Sequence, residues 1–343
     1  MNHKSEYDMR KIAVTGGFGF IGTNFVKYWL RKYPRDTILI MDAETYASDS
    51  TGVLSYIGAN DCSARVFFEK VDIRDQAVVA RVLQHHHPEV IFHFAAESHV
   101  CRSIAGPKDF MTTNIMGTWN LLEEWRQLHG GTPNRPFIHV STDEVFGELG
   151  FLDEPFFEES PIRPRSPYAA SKASSDLIAL AYFETYGTQV RVTNCSNNFG
   201  PHQHHEKLLP QTFRSFLARK PAILFGSGAQ MRDWLFVEDH CEAIETVFLR
   251  GENGLRYCIG GEKELTNYQF VKAVHDVMLN LGLTEGPFHV EHNVLARPTD
   301  DLRYAIDNSV IRALGWSPNP QNFVQKLSDT VRWYAEEVGF NVL

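Results

Sequence analysis

Short runs rich in Val, Ile, Leu and Phe recur along the first part of the chain, at 12–15, 37–41, 66–71, 90–94, 137–140 and 190–193. Longer stretches with helical spacing of apolar residues separate them, most clearly at 109–129 and 168–186. Strands that are apolar throughout are buried on both faces, so this alternation predicts a doubly wound parallel α/β sheet covered by helices on each side. Ser166-Pro167 ahead of the second long stretch reads as a helix cap followed by a first-turn proline. After about residue 194 the rhythm breaks: 194–207 is polar and His-rich, and shorter elements follow irregularly. The expected division is a sheet domain over 1–194 and a smaller, mainly substrate-binding α/β domain over 195–343. The segment 234–260, with its strand-like Arg256-Tyr257-Cys258-Ile259, is expected to return to the first domain.

The first apolar run leads into Gly16-Gly17-Phe18-Gly19-Phe20-Ile21-Gly22 and then an amphipathic stretch. Glycines three apart between a strand and a helix allow a tight turn, close approach of backbone to a pyrophosphate, and close helix packing. Asp42 follows at the end of the second strand, placed to accept hydrogen bonds from an adenosine ribose; an acidic side chain there repels a 2′-phosphate, so NAD is expected rather than NADP. This makes the sheet domain Rossmann-type. Asp72, after the third strand, either reaches the adenine or caps the helix that begins near Asp75.

Two further groups lie where open parallel sheets hold ligands. Tyr168 and Lys172 are four apart on a predicted helix and share a face, so the lysine charge is expected to lower the tyrosine pKa for taking a proton from an alcohol. Thr142-Asp143-Glu144 ends the fifth apolar run. Alone, an Asp-Glu pair at a strand end is a cap or a solvated turn. Beside a redox-type tyrosine, two carboxyl groups suggest that protons move as well as a hydride, as in dehydration coupled to transient oxidation. A shared cleft opposes double ionisation, which would leave one carboxyl as acid and the other as base.

Segments 15–22, 95–100, 141–147, 166–176, 193–201, 206–210, 232–239 and 303–307 resemble the extended short-chain dehydrogenase/reductases, and within them the nucleoside-diphosphate-glucose 4,6-dehydratases. The resemblance implies oxidation of the sugar C4 hydroxyl by bound NAD, loss of water across C5 and C6, and return of the hydride to C6. It implies Tyr168 as base at the C4 hydroxyl, Lys172 on the ribose, Thr142 on the C4 oxygen, Glu144 as base at C5 and Asp143 as acid at the C6 hydroxyl. On the cofactor side it places Gly16, Gly19, Phe20, Ile21, Gly22, Asp42, Asp72, Ile73, Ala95, Ala96, Ser98, Thr113 and Asn198, with Tyr168 and Lys172. On the substrate side it places His99, Asn197, Lys207, Leu208, Ile223, Phe225, Asn267 and the diphosphate contacts Arg232 and Arg297. Thymidine is the expected nucleoside, with uridine open, and the family commonly forms homodimers through 109–129 and 168–186. The chain departs from the pattern at Cys101 (usually Asp), Phe18 (usually small) and Thr299-Asp300 (usually Gly-His). A 4-epimerase or decarboxylase of the same fold would give Asp143 and Glu144 no role, and an NAD-binding scaffold would have no need of the five catalytic candidates.

Composition narrows the partners. A formal charge of −9 across 343 residues argues against nucleic acid or an anionic membrane, so an anionic ligand needs a local cluster of cations. Five widely spaced cysteines without a C-x-x-C pair fit reduced cytoplasmic thiols, and no apolar stretch approaches a membrane span. His85-His86-His87 points in three directions on a helix and is expected to bind no metal.

Overall fold

The computed structural model describes residues 9–130, 135–293 and 301–340. Seven parallel strands form the main sheet: β1 (Lys11–Thr15), β2 (Thr37–Asp42), β3 (Val66–Lys70), β4 (Val90–His93), β5 (Phe137–Thr142), β6 (Val190–Cys195) and, later in the chain, Leu255–Ile259. Their spatial order is Leu255–Ile259, β6, β5, β4, β1, β2, β3, so the winding reverses between β1 and β4 and opens a crevice at the carboxyl ends there. Both faces are buried over β1, β2, β4, β5 and β6, as their apolar runs require, whereas the edge strand β3 leaves Phe67 and Phe68 largely exposed. Phe25, Trp29, Phe92 and Ile244 pack on one side, and Leu121, Trp125, Ala179 and Tyr182 on the other.

The last strand of the main sheet, Leu255–Ile259, pairs in parallel with β6 from Leu255 opposite Arg191 to Ile259 opposite Cys195. Smaller sheets lie beyond the carboxyl ends of the strands. Asn197–Phe199 runs parallel to Met231–Phe236, which pairs antiparallel with Glu264–Thr266; Ala222–Phe225 pairs with Val290–Asn293. A separate core joins them, with Trp234 and Phe270 stacked 3.6 Å apart and Phe199, Phe213 and Leu327 fully buried.

The helix expected at 109–129 is not uniform. Pro107–Phe110 passes into a π-helical stretch, Met111–Gly117, before regular helix resumes at Thr118–His129. The wider turns set Asn114 inward, where its side chain accepts from Glu97 N at 2.8 Å and donates to Glu97 O at 2.9 Å and to Ser171 Oγ at 2.8 Å. The loop after β4 is thereby clamped to the Tyr168 helix. Such π segments commonly mark functional sites. Of the His85–His87 run, His86 does have a carboxylate neighbour, Glu69 at 3.0 Å; no group of three or more metal-ligating side chains occurs among the described residues.

Candidate active site

The glycine turn is required by space. Gly16 has φ +68°, and a Cβ on it would lie 2.7 Å from Ala95 N; one on Gly22 would lie 2.1 Å from Gly16 O. The helix Phe20–Lys32 then opens at Gly19 with no side-chain cap and no acidic residue in its first turn. Its leading N–H groups and positive dipole end are left for an anion. At the end of β2, Asp42 is buried and accepts from Phe18 N (2.9 Å), Glu44 N (2.8 Å) and Ser48 Oγ (2.8 Å), so it braces the glycine turn while lining the cavity. Phe18, large where the family pattern is small, is buried in the core against Phe68 and leaves the turn intact. Asp72 does not cap the following helix. Asp75 does so through Val78 N, whereas Asp72 lines the cavity with its carboxylate held by Arg74. These donors, the uncapped helix end and the carboxylate at the ribose position fit a dinucleotide.

Thr142 closes β5 and caps a short 3-10 turn, Asp143–Phe146, its Oγ1 accepting from Glu144 N at 3.4 Å. The cap reading and the chemical one are therefore compatible, because the cap is what turns the two carboxyls toward the crevice. Gly147 ends the turn at φ +94°, with the Arg163 carbonyl 2.5 Å from where a Cβ would sit. Asp143 is buried, and its Oδ2 has no hydrogen-bond partner. Burial first, then the charges of Glu144 and Asp233, push its carboxyl well above the usual range, with Arg232 opposing. The shift is in the direction a proton donor needs.

Ser166 caps the helix Pro167–Tyr186 through Ala169 N at 3.0 Å, with Pro167 in the first turn. Tyr168 and Lys172 are both buried on its inner face. The expected effect of the lysine on the phenol does not hold in this arrangement. Burial and then the Glu144 charge push the Tyr168 phenol well above its ordinary value, with a hydrogen bond from Thr142 the main opposing influence. Lys172 instead donates to Val140 O at 2.9 Å, and burial brings it down to about 8 although Asp176 opposes this.

One cavity of about 310 Å³ is lined by every residue assigned above to the cofactor side and by all five catalytic candidates. A second, of about 200 Å³, is lined by His99, Leu208, Ile223, Phe225, Arg232 and Asn267, and shares Glu144, Asn197, Asn198, Gln203 and Lys207 with the first. Glu144 thus stands at the junction. Arg297 and Thr299-Asp300 lie outside the described residues; Cys101 is on the wall of the second cavity. Sequence reasoning assigned no role to Tyr304, which is buried on that wall with the Arg232 guanidinium 4.6 Å from its ring centre. Gln203 and Glu206 also line the cavity, and Glu206 forms a two-point ion pair with Arg102. The polar texture of 194–207 hinted at both, and Glu206 opens the resembling segment 206–210 without a role assigned there.

The sequence profile of the GDP-mannose 4,6 dehydratase family matches residues 13–328. The dTDP-glucose 4,6-dehydratase of Neisseria meningitidis serogroup B is 44% identical over 340 residues, covering 96% of this chain and 94% of that protein. That of Haemophilus influenzae is 41% identical, covering 95% and 98%. Among solved structures, the dTDP-glucose 4,6-dehydratase of Streptomyces venezuelae with NAD bound superposes with a TM-score of 0.87 at 41% identity, covering 96% of this chain and 98% of that one. The UDP-glucose 4-epimerase of Thermotoga maritima shares the fold at a TM-score of 0.83 but only 24% identity. The shared sheet, glycine turn and Tyr/Lys helix, together with these relationships, place the chain in the nucleotide-sugar 4,6-dehydratase family.

Proposed function

We propose that the chain converts dTDP-glucose to dTDP-4-keto-6-deoxyglucose and water. The observation that carries this reading is the adjacent pair Asp143 and Glu144, turned into one crevice beside Tyr168, with the Asp143 carboxyl pushed upward by burial and by its neighbour's charge. NAD, held between the glycine turn, Asp42 and Lys172, supplies the acceptor for the C4 hydride and the donor that returns it to C6. Thr142 hydrogen-bonds the C4 oxygen, and Tyr168, whose phenolate the Thr142 hydrogen bond favours against burial, takes the hydroxyl proton as that carbon is oxidised. The C4 ketone makes the C5 hydrogen acidic; Glu144 takes that proton, and Asp143 gives its own to the C6 hydroxyl, which leaves as water. After hydride addition at C6, Glu144 returns a proton to C5, so the reaction is redox-neutral overall.

The diphosphate meets Arg232 and Arg297, with Asn197, Asn267, Lys207 and Leu208 along the nucleotide and Ile223 and Phe225 beside the base. The relatives at 41 and 44% identity named for dTDP-glucose support thymidine as the base. We further read the chain as a cytoplasmic homodimer with no nucleic acid or membrane partner, divided at about 194 as the sequence suggests. Exposed Met116, Leu177 and Tyr186 on the two expected interface helices support the dimer. Incubation with dTDP-glucose, UDP-glucose and GDP-mannose, followed by mass and proton NMR, tests the function. Loss of one water with a new C6 methyl from dTDP-glucose is expected; an isomeric sugar or no product would overturn it.

A further inference from the structure

Behind the catalytic turn lies a carboxylate without a place in the chemistry above. Asp176 follows Lys172 by one helical turn and is 0% exposed, enclosed by the helix Pro167–Tyr186 and by β5 and β6. Its Oδ2 accepts from Asn194 Nδ2 at 2.9 Å, and the same amide nitrogen donates to the Thr142 carbonyl at 2.9 Å. That carbonyl sits where β5 gives way to the turn bearing Asp143 and Glu144. Oδ1 faces His139 Nε2 at 3.2 Å, and Arg256 approaches Oδ2 at 3.8 Å. A fully buried carboxylate is costly to desolvate, and hydrophobic residues would hold a helix against a sheet without that penalty.

We propose that Asp176 is a positioning residue for the elimination step: through the Asn194 amide it fixes the Thr142 carbonyl, and with it the turn that aims Asp143 and Glu144 at the sugar. The inference rests on reading those two residues as acid and base. The same carboxylate is the main anionic influence on Lys172, so it links the helix of the oxidation step to the turn of the dehydration step. The other ionisable groups around this pair are His139 on β5, Cys195 on β6, His93 on β4 and Arg256 on Leu255–Ile259. Burial brings His139 down to about 4, so it is neutral at physiological pH. Burial alone would raise the Asp176 carboxyl, but the close approach of His139 and the charges of Arg256 and Lys172 hold it below its usual range.

Two variants of the purified, cofactor-containing protein separate this from a merely structural role. Asn194→Ala cuts the link to Thr142 but keeps the charge. Reduction of bound cofactor by dTDP-glucose should stay within about threefold of the parent while water loss falls about 10²-fold, the scale expected when a catalytic group is misplaced by an ångström. Amide hydrogen exchange over Asp143–Phe146 should quicken in the same variant. Asp176→Asn keeps an acceptor for Asn194 but removes the charge that raises Lys172, so the alkaline limb of kcat/KM should move to lower pH with the turn still protected. Unchanged exchange in Asn194→Ala, equal losses in both steps, or an unmoved limb in Asp176→Asn would each overturn the proposal. Should Asn194→Ala fail to fold, Asn194→Ser, too short to bridge the Asp176 carboxylate and the Thr142 carbonyl, takes its place with the same two readouts. Exchange is read without substrate, so a parent protein that releases no water would fail the functional reading and leave the relay separately testable.

Discussion

Asp143 and Glu144 are neighbours in sequence yet unequal in surroundings, and their proposed division of labour follows from that. Glu144→Gln should still oxidise the sugar and accumulate bound reduced cofactor, but with no exchange of the C5 hydrogen in heavy water; normal exchange would remove Glu144 as the base. Asp143→Asn should keep the oxidation and lose about 10²- to 10⁴-fold in water release, the range for one positioned proton donor. It should also stabilise the fold in a pH-dependent way. Because burial raises the folded-state pKa of Asp143 above its unfolded value of 3.8, the penalty is absent below that unfolded value and grows as pH rises through the folded one. Thermal midpoints should therefore diverge in favour of the variant toward alkaline pH, and coincident curves would contradict the assignment. The identities of these side chains were legible in the sequence, as was the need for one acid and one base. What could not be read was the order of influences on Tyr168, because burial and the Glu144 charge prevail only once Lys172 is seen turned to the Val140 carbonyl.

Among the elements, the most demanding is the turn between β1 and the helix Phe20–Lys32. Gly22→Ala places a methyl 2.1 Å from the Gly16 carbonyl, a contact no side-chain rotation relieves. The variant should be purified depleted of NAD, which a comparison of cofactor absorbance with the parent checks; full occupancy would refute the role of this turn. The central strands of the main sheet were legible because burial on both faces leaves them apolar, the edge strand β3 only because its exposed face also carries Phe67 and Phe68, and the Tyr168 helix because Ser166-Pro167 announces it. The π-helical stretch Met111–Gly117 was not, since its cause is tertiary. Asn114 is drawn to the Glu97 backbone, and Gly117 leaves room for Ile73, whose side chain would lie 2.5 Å from a Cβ there. The three-residue strands Asn197–Phe199 and Glu264–Thr266 are too short to carry a period of their own.

At the level of the whole molecule, the crevice where the winding reverses holds the cofactor side, and the smaller sheets roof it with the substrate side, so that Glu144 faces both. Lys172 is a buried cation within this crevice, brought down to about 8. If its charge is needed, kcat/KM should fall as pH rises through that region, and a profile flat well beyond it would exclude the requirement. The cofactor half was readable from spacing and chemistry: a glycine turn, an acidic strand end, a Tyr/Lys pair. The substrate half was readable only by resemblance, because Arg232, Asn267 and Ile223 come from separated segments that no local pattern unites. Tyr304 beneath Arg232 needed the fold.

The central claim is that hydride and protons travel on one sugar. The most direct measurement is turnover of dTDP-glucose carrying deuterium at C4, followed by mass spectrometry and NMR. Loss of one water with the deuterium moved to the C6 methyl is the predicted result; deuterium retained at C4, or a product that has kept its water, would contradict it.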